Sequence, residues 1–253
     1  MDQARANEII EEVRKAYQDI AAEFSDTRTE LWNELKPFAG EVQDGMTIAD
    51  IGCGNGRLLQ LFQGKKVHYI GIDNSGKLLR KAQQYASGFP GIHARFQEGD
   101  IRHIPLQNAS CDAVFCIATL HHIPTIELQL QALRECQRIL KPEGFFVMTN
   151  WYLSAQPRYV IQQARQRLSH PRLYIKTDFR DFFISWKLRD GSVRYRYYRA
   201  FTPRHLRSLL THSGFSSIRT SIAYGERDWS GMRTKRNIVS FAVKKYDSTE
   251  HPG

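Results

Sequence analysis

Between residues 47 and 150, short apolar runs alternate with helix-like stretches, which predicts an α/β fold built on a doubly wound, mostly parallel sheet. The links between successive runs are short, as crossover connections should be. Candidate ligand-facing residues also fall in order at the carboxyl ends of the runs, the edge along which open α/β sheets bind their ligands.

Local pattern justifies each element in turn. Residues 3–24 place Ile9, Ile10, Val13, Tyr17, Ile20 and Phe24 at three- and four-residue spacings, an amphipathic helix. A second helix is expected over Thr29–Phe38. Thr47–Ile51 is a strand ending in Gly52-Cys53-Gly54-Asn55-Gly56, and Arg57–Gln63 is a short helix. Val67–Ile72 is a strand that ends at Asp73, and Ser75 caps a helix over Gly76–Ala86. Ile92–Gln97 and Ala113–Ile117 are the next strands, the first followed by Gly99-Asp100-Ile101. A helix over Thr125–Leu140 stops at Lys141-Pro142-Glu143-Gly144, before a strand at Phe145–Asn150.

After Trp151 the rhythm changes. Residues 152–200 are rich in Arg, Tyr and Phe, contain a basic helix at Arg158–Leu168, and read as an insertion or lid. Pro203 opens a helix that runs to His212 and stops at Ser213-Gly214. Strands near Ser217–Tyr224 and Asn237–Lys244 follow, and residues 247–253 read as a disordered tail. One domain is expected over residues 1–246: a helical cap in 1–40, a ligand-binding core in 45–150, the insertion in 152–200 and a final helix and strands in 201–246.

Composition narrows the class. The chain has 253 residues, 42% of them hydrophobic and 25% charged, which fits a globular protein and excludes wholesale disorder. No apolar run approaches the ~20 residues that span a bilayer, and the N-terminus has no apolar signal core, so a cytosolic protein with no membrane partner is expected. The four cysteines form no C-x-x-C pair, and His121-His122 lacks a further ligand at helical spacing. Neither a disulfide scaffold nor a metal site is expected. Charge is uneven. Residues 1–150 carry 16 basic and 19 acidic side chains, whereas 151–253 carry 20 basic and seven acidic ones. The C-terminal part therefore asks for an anionic partner.

Asp50-Ile51-Gly52-Cys53-Gly54-Asn55-Gly56 sits at a strand-to-helix turn, where glycines let backbone approach a ligand. G-x-G alone also fits an ordinary turn. A dinucleotide site would want a third glycine one residue later. Asp73 ends the next strand about twenty residues on, where an acid can accept both hydroxyls of a ribose. Asp100-Ile101 then follows the third strand and Cys116-Ile117-Ala118 ends the fourth. A ligand with an amino-acid end, a ribose and an adenine would be served in that order.

DIGCGNGRLL, YIGIDNS, QEGDI and DAVFCIATLHHI resemble the ordered motifs of class I S-adenosylmethionine-dependent methyltransferases, over about residues 17–150. The resemblance implies a seven-stranded Rossmann-like sheet whose last strand is antiparallel, and S-adenosylmethionine as cofactor. It gives as cofactor candidates Tyr17, Arg28, Asp50, Gly52, Cys53, Gly54, Asp73, Asn74, Asp100, Ile101 and Cys116. Tyr17 and Arg28 resemble a pattern that closes over the methionine end. Core packing for Tyr17 and a solvated loop charge for Arg28 fit them as well.

Asp190-Gly191 looks like a hairpin turn, and on the strand that follows, Arg194, Arg196 and Tyr198 would face one way and Tyr195, Tyr197 and Arg199 the other. Arginine forks beside aromatic faces suit phosphates and unstacked bases. An amphipathic hairpin with solvated arginines fits the same alternation. Trp186–Leu206, Phe24–Arg28 with Trp32, and Glu226-Arg227-Asp228-Trp229 resemble the eukaryotic tRNA wobble-uridine methyltransferases that esterify 5-carboxymethyluridine. This second resemblance implies tRNA as partner and a small zinc-binding activator subunit as a further one. Two features depart from it. Arg199 stands where the family has His, and the stretch from Asp228 to Asn237 is longer and carries Arg233, Lys235 and Arg236.

A carboxylate acceptor is already ionised at neutral pH and needs no general base. The candidates for gripping and orienting it are Arg28, Arg196 and Arg199, with Tyr197 or Tyr198 stacking on the base. His121 would be the base for a phenol or amine acceptor, and it equally fits a residue packed at a helix start. A tRNA carboxylate methyltransferase is the reading favoured. A small-molecule methyltransferase for quinone- or sterol-like acceptors and a non-catalytic RNA-binding protein are the alternatives.

Overall fold

The computed structural model describes residues 1–227 and 233–245. Seven strands form one sheet in the order β3-β2-β1-β4-β5-β9-β8. They are β1 (Thr47–Ile51), β2 (Val67–Asp73), β3 (Ile92–Glu98), β4 (Cys111–Ile117), β5 (Leu140–Trp151), β8 (Phe215–Arg227) and β9 (Arg233–Lys244). β1 to β5 pair in parallel, and β9 runs antiparallel to both β5 and β8. The order reverses at β1 and β4, so the carboxyl ends of β1, β2 and β4 surround the switch point where such sheets bind.

Each face of the sheet carries an apolar layer. On one face Ile51, Ile70, Val114 and Met148 pack beneath α3 (Ile126–Ile139) and α5 (Pro203–His212). On the other, Ile48, Tyr69, Phe115 and Val147 meet Leu58, Leu59 and Phe62. The central strands β1, β2, β4 and β5 are buried on both sides, which is why they read as near-continuous apolar runs. α2 (Gly76–Ala86) begins where expected, with the Ser75 hydroxyl accepting from the Leu78 amide.

Two expected helices differ in kind. The segment expected as a helix at Thr29–Phe38 is a 3-10 turn confined to Asn33–Ala39. Pro37 has no amide to donate and its ring clashes with an α-helical carbonyl four residues back, so the tighter turn forms instead. The stretch after the glycine loop is likewise a 3-10 turn, Arg57–Phe62. In addition, β5 starts at Leu140, through the segment read as a stop, with a register break opposite Cys111 and Ala113.

The 152–200 segment contains α4 (Pro157–Ser169) and a separate hairpin of β6 (Asp181–Lys187) and β7 (Val193–Arg199). Gly191 takes a left-handed φ of 84° at its turn, as Asp-Gly predicts. The hairpin lies against α1 (Gln3–Thr27). Trp186 Nε1 donates to Glu23, Arg189 pairs with Asp26 and Arg194 with Asp19. Its other end is held from inside: the Arg199 guanidinium donates to Asp181 and Asp178, both at 2.8 Å, and the Tyr197 hydroxyl donates to Asp181 at 2.5 Å. The side chains of Glu226, Arg227, Arg233 and Lys235, with residues 228–232 and the 246–253 tail, lie outside the described residues.

Arg199→Ala would leave the buried Asp181 carboxylate without its cation. We expect a loss of about 3–5 kcal/mol in unfolding free energy, read by urea denaturation. Arg199→Ala combined with Asp181→Asn should cost distinctly less; equal losses would mean that the pair does not hold the hairpin.

Candidate active site

An open-mouthed cavity lies at the carboxyl ends of β1, β2 and β4, roofed by α1 and β7. Its floor is the glycine loop. Gly52 and Gly54 have φ of 75° and 56°, a region that L side chains rarely adopt. A Cβ on Gly52 would stand 2.1 Å from the Thr119 hydroxyl, so the loop can lie against the turn after β4 only without a side chain there.

The loop's amides are already engaged. Gly52 and Cys53 N–H both donate to the Ile72 carbonyl, at 2.7 and 3.0 Å, and Gly54 N–H donates to Asp73 Oδ2 at 2.9 Å. A phosphate cradle needs free amides. This loop offers none at those positions, and carboxylates stand around it instead. The arrangement fits S-adenosylmethionine, which has no phosphate and carries a sulfonium and an ammonium. Asp73 Oδ1 also accepts from Ser75 N–H at 2.9 Å, and each carboxylate oxygen keeps a lone pair for a ribose hydroxyl. Burial raises Asp73 to about 6, against the pull of the amides it accepts from.

Asp50 lines the floor at 2% exposure. Its Oδ2 accepts from the Tyr69 hydroxyl at 2.5 Å, while Oδ1 is buried with no partner. Burial raises this carboxyl to about 7, with the Tyr69 bond opposing. A buried acid with one unused oxygen beside the loop is suited to a cationic amino end. Asn74, Ile101 and Cys53 also line the cavity. Asp100 does too, with its carboxylate held by Arg102 at 2.6 Å.

The roof carries the cations. Arg196 is 4% exposed, and among the described residues no carboxylate lies within ion-pair distance of it and its Nε has no acceptor. Aromatic rings surround it instead: Trp186 at 5.0 Å, Tyr198 at 5.6 Å and Tyr17 at 5.8 Å from the guanidinium carbon. Arg28 lies over the same Trp186 ring at 5.6 Å. One indole thus holds two guanidiniums at the mouth.

Tyr198 and His121 line the cavity, as expected of site residues, whereas Arg199 and Cys116 stand elsewhere. Arg199 faces away from the cavity, as strand alternation requires once Arg196 faces in, and serves the hairpin rather than an acceptor. Cys116 is fully buried in the core beside α3, and Ile117, Ala118 and Thr119 line the cavity in its place. Neither tyrosine is a free stacking surface. Tyr197 is buried with its hydroxyl on Asp181, and the Tyr198 ring is stacked against His121 at 4.8 Å and Trp151 at 5.2 Å. His121 lines the cavity at 1% exposure, and burial holds it neutral, well below its ordinary range. Trp151 N–H reaches its Nδ1 at 3.4 Å.

Sequence reasoning named His122 and Ala118 only as neighbours of His121 and Cys116, and gave Arg57 no role at the site. His122 Nδ1 lies 2.7 Å from the Tyr197 carbonyl and so carries the proton. Nε2 then accepts from the Tyr17 hydroxyl at 2.9 Å, tying α1 to β7 across the roof. The His-His doublet was visible in the sequence, but which imidazole bridges depends on the turn after β4. Ala118 has a left-handed φ of 55° there, a strained conformation that nothing in its residue type announces.

Gly52→Ala must displace Thr119 and adopt a disfavoured φ. We expect the substitution to weaken S-adenosylmethionine binding by tenfold or more in calorimetry while far-ultraviolet circular dichroism stays unchanged. Affinity equal to the parent chain would contradict the close approach of loop and turn.

Residues 49–148 match the methyltransferase domain family. Over 146 residues, 57% of this chain, the protein is 33% identical to the Mus musculus tRNA (carboxymethyluridine(34)-5-O)-methyltransferase, of which the match covers 20%. The chain thus spans about a fifth of that relative's length. Among solved structures, a SAM-dependent methyltransferase from Methanosarcina mazei superposes with a TM-score of 0.64 at 21% identity, covering 86% of this chain and 100% of that one. The Haloferax volcanii chain solved in complex with the Trm112 methyltransferase activator gives 0.63 at 17% identity, covering 95% and 100%. At these identities the solved structures speak for the fold. With that fold, a methyltransferase domain over residues 49–148 and the ordered motifs gathered on one cavity, the chain carries an S-adenosylmethionine-dependent methyltransferase domain.

Proposed function

We propose that the protein methylates a carboxylate on tRNA, esterifying the carboxymethyl group of a modified wobble uridine. The observation that carries this reading is Arg196. A buried guanidinium with no carboxylate of its own, facing the place where an acceptor enters, calls for an anionic group from the substrate. The basic C-terminal part and the name of the Mus musculus relative support RNA as its source. A small activator subunit belongs to the same reading, since the Haloferax volcanii neighbour is solved with one.

When bound, S-adenosylmethionine supplies an electrophilic methyl group on a positively charged sulfur. The chain's own residues bind, orient and exclude water. Asp73 accepts from the ribose, and Asp50 faces the amino end. Arg196, braced by Trp186 and Tyr17, holds one acceptor oxygen and leaves the other free to attack. No residue has to remove a proton, and burial makes both His121 and His122 weak bases, His122 at about 3. Positioning of this kind is worth about 7–11 kcal/mol in well-oriented systems.

Arg196→Met should lower carboxylate methylation of tRNA at least a hundredfold while the dissociation constant for S-adenosylmethionine stays within about twofold, measured by methyl incorporation and calorimetry. Mass spectrometry of tRNA nucleosides from cells with and without the protein tests the acceptor directly. An unchanged level of the uridine methyl ester, or turnover of a hydrophobic ring acceptor without RNA, would overturn the reading.

The two floor carboxyls set a pH dependence. Both pKa values are raised above the ordinary carboxylate value, so ionising them costs the folded chain stability as pH climbs, and that cost is complete above about 7. The empty protein should therefore gain stability between about pH 7.5 and 5. A cationic ligand favours the ionised acids, so its affinity should fall over the same interval, with proton release on binding at pH 6.5. Calorimetry in buffers of different ionisation enthalpy reads both effects.

A further inference from the structure

We propose that Arg57, laid against Trp32, forms an oxyanion subsite at the cavity rim that takes a phosphodiester of the RNA next to the acceptor nucleotide. The proposal rests on the tRNA reading above. Arg57 opens the 3-10 turn directly after the glycine loop and lines the cavity. Its guanidinium carbon lies 4.6 Å from the centre of the Trp32 ring. Stacking covers one flat side of the guanidinium and leaves its donor edge free, the geometry that meets two phosphate oxygens together.

Among the described residues, no carboxylate lies within ion-pair distance of Arg57. Asp50, the acid whose charge it feels, has one oxygen committed to Tyr69. Arg28 lines the same cavity, so two like charges share its wall. Burial and then repulsion from Arg28 bring the Arg57 guanidinium down to about 10, and the exposed Arg236 adds to that repulsion. A bound anion would relieve this.

Charge counting separates a phosphate from the cofactor's own carboxylate. The cavity presents three guanidiniums, Arg28, Arg57 and Arg196. An acceptor carboxylate and a cofactor carboxylate answer two of them. The third is Arg57, on the side of the partly buried Trp32 and the exposed Arg236. A nucleotide whose base enters toward Arg196 leaves its backbone at that rim.

The test uses the full chain with tRNA across a salt series. Arg57→Met should raise the half-saturating tRNA concentration about tenfold and flatten the salt slope by about one phosphate, with S-adenosylmethionine affinity within twofold. Arg57→Lys should restore part of the affinity, and Trp32→Leu, which removes the platform and keeps the cation, should show an intermediate loss. Those two variants carry the test if Arg57→Met does not fold. A loss of S-adenosylmethionine affinity with tRNA binding intact would give the subsite to the cofactor carboxylate and overturn the proposal. Unchanged binding of both ligands would overturn it too. If the unsubstituted chain shows no salt-dependent tRNA binding, the tRNA reading itself falls, a result distinct from either.

Discussion

The Ile72 carbonyl accepts from two consecutive glycine-loop amides, and the neighbouring Asp73 carboxylate takes a third. These bonds join the end of β2 to the turn after β1, and they decide what the cavity can hold. Amides spent on a carbonyl and a carboxylate cannot cradle a phosphate. The loop instead presents closely approached backbone beside two acids whose ionisation is held back by burial. A floor of this kind favours cationic ligands, whereas the dinucleotide-binding turn, with its free amides at a helix start, favours anionic ones. The turn that follows has only six residues and 3-10 geometry, so little helix dipole points back at the ligand.

The roof is assembled from parts far apart in sequence. Tyr17 on α1, His122 after β4 and the Tyr197 carbonyl on β7 form one hydrogen-bonded chain. It is partly buried, whereas the ion pairs between α1 and the hairpin tip, Asp19–Arg194 and Asp26–Arg189, are solvent-exposed and each contribute at most about 1 kcal/mol. The rigid element is therefore the inner chain together with the Arg199–Asp181–Tyr197 cluster. The tip of the hairpin is the part held most loosely.

The sheet was legible because its central strands are buried on both faces and end in residues that turn the chain: Gly52, Asp73 and the capping Ser75. The hairpin was legible from Asp190-Gly191, and strand alternation placed Arg196 and Tyr198 on one side and Arg199 on the other. The pattern could not say which side faced the cavity. That depended on Asp181, whose partner role arises only when β6 pairs with β7. The stacking assigned to the tyrosines failed for a similar reason. Tyr198 has the right chemistry, but Trp151 and His121 already cover its ring. Pro37 was in plain view and should have limited the helix expected at Thr29–Phe38.

Arg196 is the costliest side chain in the site. Removing an arginine from water without a counter-ion opposes folding by several kcal/mol, and ring faces return only part of that, about 2 kcal/mol for a desolvated pair. A structural arginine in the same hairpin avoids the cost: Arg199, one strand face away, is answered by Asp181 and Asp178. The two residues stand three apart on one strand, and a nearby acid was used for one and not the other. The uncompensated charge is thus confined to the face that meets the ligand. A carboxylate arriving there regains the missing ion pair in a site shielded from water, where the attraction is stronger than in bulk solvent. A neutral acceptor would leave the cation as it was.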